Sequence, residues 1–207
     1  MIFILYVFVG LIGIFLIWRF SSQHRFLPCP SWLSWMVERD NPLTQANRTQ
    51  NILNNLKLSQ GMHVLDAGCG PGRLTLPIAK TIGPQGEVLA LDIQAQMLTQ
   101  LRKKVSAIQL RNISFLHAGL GEGKLPENTF DRALLVTVLG ETLNPLSVLK
   151  EIYNSLKPGG ILSLTETIFD PHFQTKKKVL ELSNHVGFKE KNSFGQWFAY
   201  TLHLEKQ

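Results

Sequence analysis

Apolar residues crowd one end of the chain and then settle into a regular alternation. Residues 1–18, MIFILYVFVGLIGIFLIW, hold no charged side chain, and Arg19 is the first. Thirteen of the 18 are Ile, Leu, Phe or Val. As a helix they would span about 27 Å, slightly short of a ~30 Å hydrocarbon core. Their insertion would be favourable by about 4 to 8 kcal/mol as an upper limit. A cleaved signal would need positive charge ahead of the run and small residues after it. This run instead leaves through Ile17-Trp18-Arg19-Phe20. A buried core helix would usually show a polar stripe. The pattern predicts a single transmembrane anchor over residues 1–20. Arg19 and Arg25 follow it, so the positive-inside rule places the remainder in the cytoplasm.

Residues 21–43 read as a juxtamembrane segment. Ser31 opens a short helical pattern that runs to Arg39. Its Trp32, Trp35 and Met36 would lie at headgroup depth or pack on the soluble domain. From Thr44 the pattern becomes periodic, first as a helix to Leu56 with Ile52, Leu53 and Leu56 inward. Short apolar runs follow at His63–Ala67, Val88–Asp92, Ile113–His117, Arg132–Val138 and Ile161–Thr167. Helix-length segments near 73–82, 95–108 and 144–156 separate them. Strands alternating with helices imply βαβ units, and right-handed crossovers then give a parallel sheet with helices on both faces. A helix near 174–186 and strands near 188–194 and 197–205 complete the chain. Residues 44–207 thus form one α/β domain.

Composition narrows the chemistry. The net charge is +6, from 21 Lys and Arg against 15 Asp and Glu. That balance suits a domain held near anionic lipid and needs no nucleic acid to explain it. Two cysteines, Cys29 and Cys69, make neither a disulfide framework nor a zinc site, so no metal is expected.

The informative stretch is Val64-Leu65-Asp66-Ala67-Gly68-Cys69-Gly70-Pro71-Gly72-Arg73-Leu74. A strand runs into three glycines at alternate positions, which lets a ligand meet the backbone with no Cβ in the way. The third glycine comes one residue too early for the dinucleotide fingerprint, and no Gly-Lys-Ser/Thr follows for a phosphate loop. Asp66 would repel a pyrophosphate and would suit an ammonium group. Twenty residues after Gly72, Asp92 ends a second strand, where a carboxylate can accept both ribose hydroxyls.

Asp66-x-Gly68-x-Gly70-x-Gly72, Asp92, Phe130-Asp131 opening the fourth strand, and Leu156-Lys157-Pro158-Gly159-Gly160 before the fifth together resemble class I S-adenosylmethionine-dependent methyltransferases. The small-molecule branch is the most similar, including quinone C-methyltransferases and phospholipid N-methyltransferases. The likeness covers residues 44–207. It implies a Rossmann-like, seven-stranded, mostly parallel sheet whose last strand is antiparallel. S-adenosyl-L-methionine is the implied cofactor, with Asp66, Gly68, Gly70, Gly72, Asp92 and Ile93 at its site. Relatives often carry an Asp after the third strand for the adenine amino group. Here Leu116 to Pro126 has none, and Glu122, or the backbone of Ala118 and Gly119, would stand in.

The acceptor would lie beyond the fourth and fifth strands. Thr137-Val138-Leu139-Gly140 replaces the Asn/Asp-Pro-Pro-aromatic motif of nucleobase methyltransferases, so base methylation is disfavoured. Glu141, Glu166, Asp170 and His172 are the candidate acceptor groups, with Glu141 and His172 as candidates for proton transfer. The expected acceptor is a lipid or quinone-like small molecule in the membrane. The alternatives are a tethered methyltransferase of a protein or soluble metabolite, and a cofactor-binding interaction protein without catalysis.

Overall fold

The computed structural model describes residues 34–41 and 44–207, with Tyr6, Gly10 and Gly13. The anchor predicted over 1–20, apart from those three residues, and most of the segment 21–43 lie outside the described residues. Among the described residues, no helix is long and apolar enough to cross a membrane.

Seven strands form one sheet: β1 His63–Ala67, β2 Glu87–Asp92, β3 Ile113–His117, β4 Phe130–Val136, β5 Leu156–Thr167, β6 Phe188–Gln196 and β7 Ala199–Lys206. Their spatial order is β3-β2-β1-β4-β5-β7-β6. Strands β1 to β5 are parallel to one another, while β7 runs antiparallel to β5 and to β6. The helices are α1 Thr49–Leu56, α2 Thr75–Ile82, α3 Ala95–Ala107, α4 Pro145–Ser155 and α5 Lys176–Val186. The expected doubly covered α/β sheet is therefore present, with the last strand reversed.

Alternation along the strands divides the core. Val64, Val88 and Leu134 face α1 and α2 with Ile52, Leu56, Ile78 and Ile82. Ala90 faces α3 through Leu98 and Leu101. The opposite set, Leu65, Leu91, Leu135 and Leu164, faces Val148, Leu149 and Ile152 of α4 and Val179 of α5. Cutting a buried Leu or Ile such as Ile78 to Ala would cost about 2–5 kcal/mol. Asn144 opens α4 by accepting the Ser147 amide, with Pro145 in the first turn, and Gly187 closes α5 at φ +112°. The edge strand β6 is mostly exposed and carries Lys189, Glu190 and Lys191, charges that discourage edge-to-edge pairing.

Three expectations need correction. The helix predicted from Thr44 to Leu56 is two pieces, a 3₁₀ turn at Gln45–Asn47 and α1, divided at the extended Arg48. The turn is held from outside: Thr201 donates its hydroxyl to the Ala46 carbonyl. Strand β5 starts five residues earlier than expected, with Lys157 to Gly160 bulging between the pairs Phe130–Leu156 and Arg132–Ile161. The strand expected near 197–205 begins only at Ala199, so Trp197 and Phe198 are not part of it. They instead form the β6–β7 hairpin tip and pack edge to face at 5.6 Å.

Candidate active site

The glycine loop leaves β1 at the carboxyl edge, where β1 and β4 diverge to opposite crossovers. In open α/β sheets, ligands bind at this switch point. Gly68, Gly70 and Gly72 all have positive φ, between +52° and +94°. Their surroundings differ. A Cβ on Gly68 would strike the Val138 side chain, and one on Gly72 would strike Leu101. A Cβ on Gly70 would meet nothing within 4 Å. Gly68 and Gly72 are therefore small for packing, whereas Gly70 borders open space along the loop.

Two carboxylates frame the loop. Asp66 is buried on β1 and accepts the Thr75 hydroxyl at 2.6 Å. Burial lifts its pKa from 3.8 to about 6; the Thr75 hydrogen bond and the Arg73 charge pull it down, and Asp92 pushes it up. Asp92, also buried, accepts the Gly70 amide on Oδ2 and the Gln94 amide on Oδ1, both at 2.8 Å. Burial raises its pKa, against the two amide hydrogen bonds and His117. Asp92 thus ties the second strand to the middle of the glycine loop, with a lone pair left on each oxygen. Ile93 follows it and is 59% exposed, an apolar platform beside the carboxylate. These features fit an amino-acid nucleoside: a buried carboxylate for an ammonium, a second for ribose hydroxyls, an open glycine, and an apolar face for a base.

Glu122 lies on the turn after β3, folded over Gly119 and paired with Lys124 at 2.7 Å. That pairing holds its carboxyl below the usual range. The turn is fixed from below by Glu151 of α4, which accepts the Lys124 and Leu125 amides at 2.7 and 3.1 Å and also that of Gly121. An acid at a buried position of an otherwise apolar helix stripe was the signal for Glu151, and sequence reasoning missed it.

Arg73 and Lys104 were also missed. Arg73 donates to Asp40, to the Asn47 carbonyl and to the Asn47 side chain at 2.7–2.9 Å. Burial alone would raise Asp40, but hydrogen bonds from Thr49 and Arg73 outweigh it and lower its pKa. Lys104 lies in the last turn of α3, a place where a lysine usually points to solvent. It instead donates to the Pro71 carbonyl and pairs with Glu38. The segment before α1 is thereby strapped across the outside of the loop.

The four acceptor candidates gather at the tips of β4 and β5. Thr137, β-branched and at φ +55°, turns the chain out of β4. Such a residue there stores of order 1–3 kcal/mol of strain. The turn sets Val138 over Gly68 and carries the chain into the 3₁₀ turn Leu139–Glu141. Gly140 packs so closely on the His172 carbonyl that any side chain there would collide. Glu166 is buried; its Oε2 accepts the Gln174 amide at 3.1 Å, and no hydrogen bond reaches Oε1. Burial raises its pKa well above the carboxylate range, with Asp170 and Glu141 adding to the rise. By accepting the Gln174 amide it pins the loop after β5. Asp170 accepts the His172 amide at 2.7 Å, and its Oδ1 lies 3.7 Å from the His172 Nδ1. The buried Tyr200 lies opposite Glu166 on β7 and closes this corner by donating its hydroxyl to the Gln174 carbonyl. Cys69 is buried with its thiol pKa raised by burial, so it is a packing residue and no nucleophile. Among the described residues no group of three or more His, Cys, Asp or Glu could hold a metal ion.

Residues 64–160 match the family of methyltransferase domains. A demethylmenaquinone methyltransferase of Listeria monocytogenes serotype 4a (strain HCC23) is 35% identical over 112 residues, 54% of this chain and 47% of that protein. The chain spans about half the length of the relatives it matches. The solved structure of an S-adenosylmethionine-dependent methyltransferase from Aquifex aeolicus superposes with a TM-score of 0.77 at 21% identity, over 87% of this chain and 100% of that one. A phospholethanolamine N-methyltransferase 2 from Haemonchus contortus, solved with phosphomonomethylethanolamine and S-adenosylhomocysteine, gives 0.63 at 19% identity, over 72% and 38%. The fold is that of class I S-adenosylmethionine-dependent methyltransferases, as the sequence pattern implied.

Proposed function

We propose that this chain transfers a methyl group from S-adenosylmethionine to a small, lipophilic, quinone-like acceptor. The observation that carries the reading is the glycine loop. Asp66 lies buried at its base, Asp92 grips its middle, and Gly70 leaves the backbone open. The name of the Listeria relative supports a quinone ring as acceptor. The apolar run 1–18 supports a membrane anchor that would hold the cytoplasmic domain where such acceptors dissolve.

Bound at the loop, S-adenosylmethionine supplies an electrophilic methyl on a sulfonium centre. The chain supplies alignment and exclusion of water, worth roughly 7–11 kcal/mol when reacting atoms are held in line. Asp66 receives the ammonium, Asp92 the ribose hydroxyls and Ile93 the adenine face, with Glu122 at the adenine edge. On the acceptor side the contact line Gly68–Val138–Gly140–His172 joins the two half-sites. His172, oriented by Asp170, takes the proton that leaves the acceptor as the new bond forms; Glu141 serves the same site from the β4 turn. Glu166 and Asp170 shape its wall. The test is a transfer assay with methyl-labelled S-adenosylmethionine, full-length protein and a lipid extract. Label in an extractable quinone supports the reading. Label confined to protein or to a water-soluble metabolite would sink the acceptor assignment.

A further inference from the structure

Exposed large apolar residues are not scattered over this fold. Among residues 44–207 they are Ile93, Ile108, Leu143, Phe169 and Trp197. Ile108 follows the end of α3, at the amino edge of the sheet. The other four lie at the carboxyl edge, just beyond β2, β4, β5 and β6. Leu143 is 82% exposed, Phe169 43% and Trp197 76%. Their three segments are physically joined. The Gly140 turn packs on His172 of the loop after β5, and the Ile168 amide of that loop donates to the Phe198 carbonyl in the hairpin tip at 2.7 Å.

Charge on the same edge is unusual. Helix α5 begins there with Lys176-Lys177-Lys178 and has no acid in its first turn. The helix dipole disfavours cations at that end. Lys176 is used internally, bonded to Ser193 and Glu190. The Lys177 side chain is 88% exposed, with only Glu181 near it at 4.0 Å, and Lys178 is exposed as well. Cations kept where the fold disfavours them, beside protruding aromatic and aliphatic side chains, match an interface of acyl chains and anionic headgroups. The chain's own route agrees. The helical turn Ser34–Val37, with Trp35 and Met36 exposed, leads into Glu38 and Asp40, which are tied to Lys104 and Arg73 beside the glycine loop. The described chain from Ser34 therefore meets the domain on its site-bearing side.

We infer that the carboxyl edge of the sheet, through Leu143, Phe169, Trp197, Lys177 and Lys178, docks on the surface of an anionic bilayer. This contact is separate from the N-terminal anchor. It rests on the reading of the site as one that takes a membrane-dissolved acceptor. It turns the tips of β4 and β5 toward the lipid, so an acceptor enters without crossing water. The experiment uses the full chain with Trp18, Trp32 and Trp35 changed to Phe, leaving Trp197 as the sole indole. The protein is reconstituted in phosphatidylcholine–phosphatidylglycerol vesicles, with or without lipids brominated near the headgroup end of the acyl chains. Docking predicts roughly twofold quenching of Trp197 by brominated lipid. It also predicts loss of most of that quenching in Lys177→Glu/Lys178→Glu and in vesicles of phosphatidylcholine alone. Trp197 untouched by brominated lipid and freely quenched by aqueous acrylamide would overturn the inference. Quenching that survives both the charge reversal and the neutral vesicles would overturn the anionic-lipid assignment. S-adenosylmethionine calorimetry on the same protein reports separately on the cofactor reading.

Discussion

At the tips of β1 and β2 the ligand surface is mostly backbone: a loop of three glycines in the left-handed region and two amides tied to Asp92, with the buried carboxylates of Asp66 and Asp92. At the tips of β4 and β5 it is side chains: Glu141, Glu166, Asp170 and His172, beyond the strained turn at Thr137. A surface made of backbone tolerates only glycine, so it leaves a sharp trace in a sequence. A surface made of side chains allows many solutions and can be changed without touching the fold. In the proposed reading, the first half binds a cofactor common to many enzymes and the second binds the acceptor.

The glycine loop offers the strongest way to break this comparison. Gly70→Val places a branched side chain in open space. It should cost only about 1–2 kcal/mol of backbone strain, yet abolish S-adenosylmethionine binding. Gly72→Val drives a side chain into Leu101. Overpacking of about 1–3 kcal/mol adds to the same strain, so it should lower Tm by clearly more than Gly70→Val. Thermal melts beside calorimetry separate the two glycines. Equal melting losses would mean that Gly70 is also a packing glycine.

On the acceptor half, His172→Ala should lower kcat by about 10²–10⁴-fold if the proton leaves in the transition state, with cofactor affinity unchanged. Steady-state kinetics with a titratable acceptor measure this. A loss confined to KM would make His172 a binding group only.

Asp66 gives a smaller effect with a defined sign. Its folded pKa, about 6, lies above the unassociated 3.8. Stability from this group is therefore full below about pH 4 and is lost as pH rises through about 6. A cationic ligand needs the ionised form. Cofactor affinity should fall about tenfold per pH unit below pH 6, and Asp66→Asn should flatten that slope. Titrations at pH 5, 6 and 7 show it.

Smallest of all is the strap. Asp40→Asn removes a partly exposed pair with Arg73, worth about 0.2–1 kcal/mol. Denaturant melts should shift little. A large loss would mean that the N-terminal segment holds the loop in shape.

The sequence reading succeeded where periodicity or backbone geometry constrained the residues. Strands β1 and β3 fall on the expected residues because their apolar runs are bounded by turns. The glycine loop was legible because positive φ demands glycine. The division of 44–56 was not, since Arg48 breaks the helix for a tertiary reason, the seating of Ala46 on Thr201. Glu151, Arg73 and Lys104 act through partners 26 to 66 residues away in sequence, and no local pattern reports such pairs. The gathering of Glu141, Glu166, Asp170 and His172 was expected from the shared edge of the sheet. The raised pKa of Glu166 was not, because it depends on burial between β7 and the loop after β5.

The central claim is that the glycine loop with Asp66 and Asp92 binds S-adenosylmethionine. Isothermal calorimetry on the full-length protein tests it most directly, with S-adenosylmethionine and NAD as the two titrants. Saturable one-to-one binding of S-adenosylmethionine, greatly weakened in Asp92→Ala, with no heat from NAD, is the predicted result. Binding of NAD without S-adenosylmethionine would contradict it.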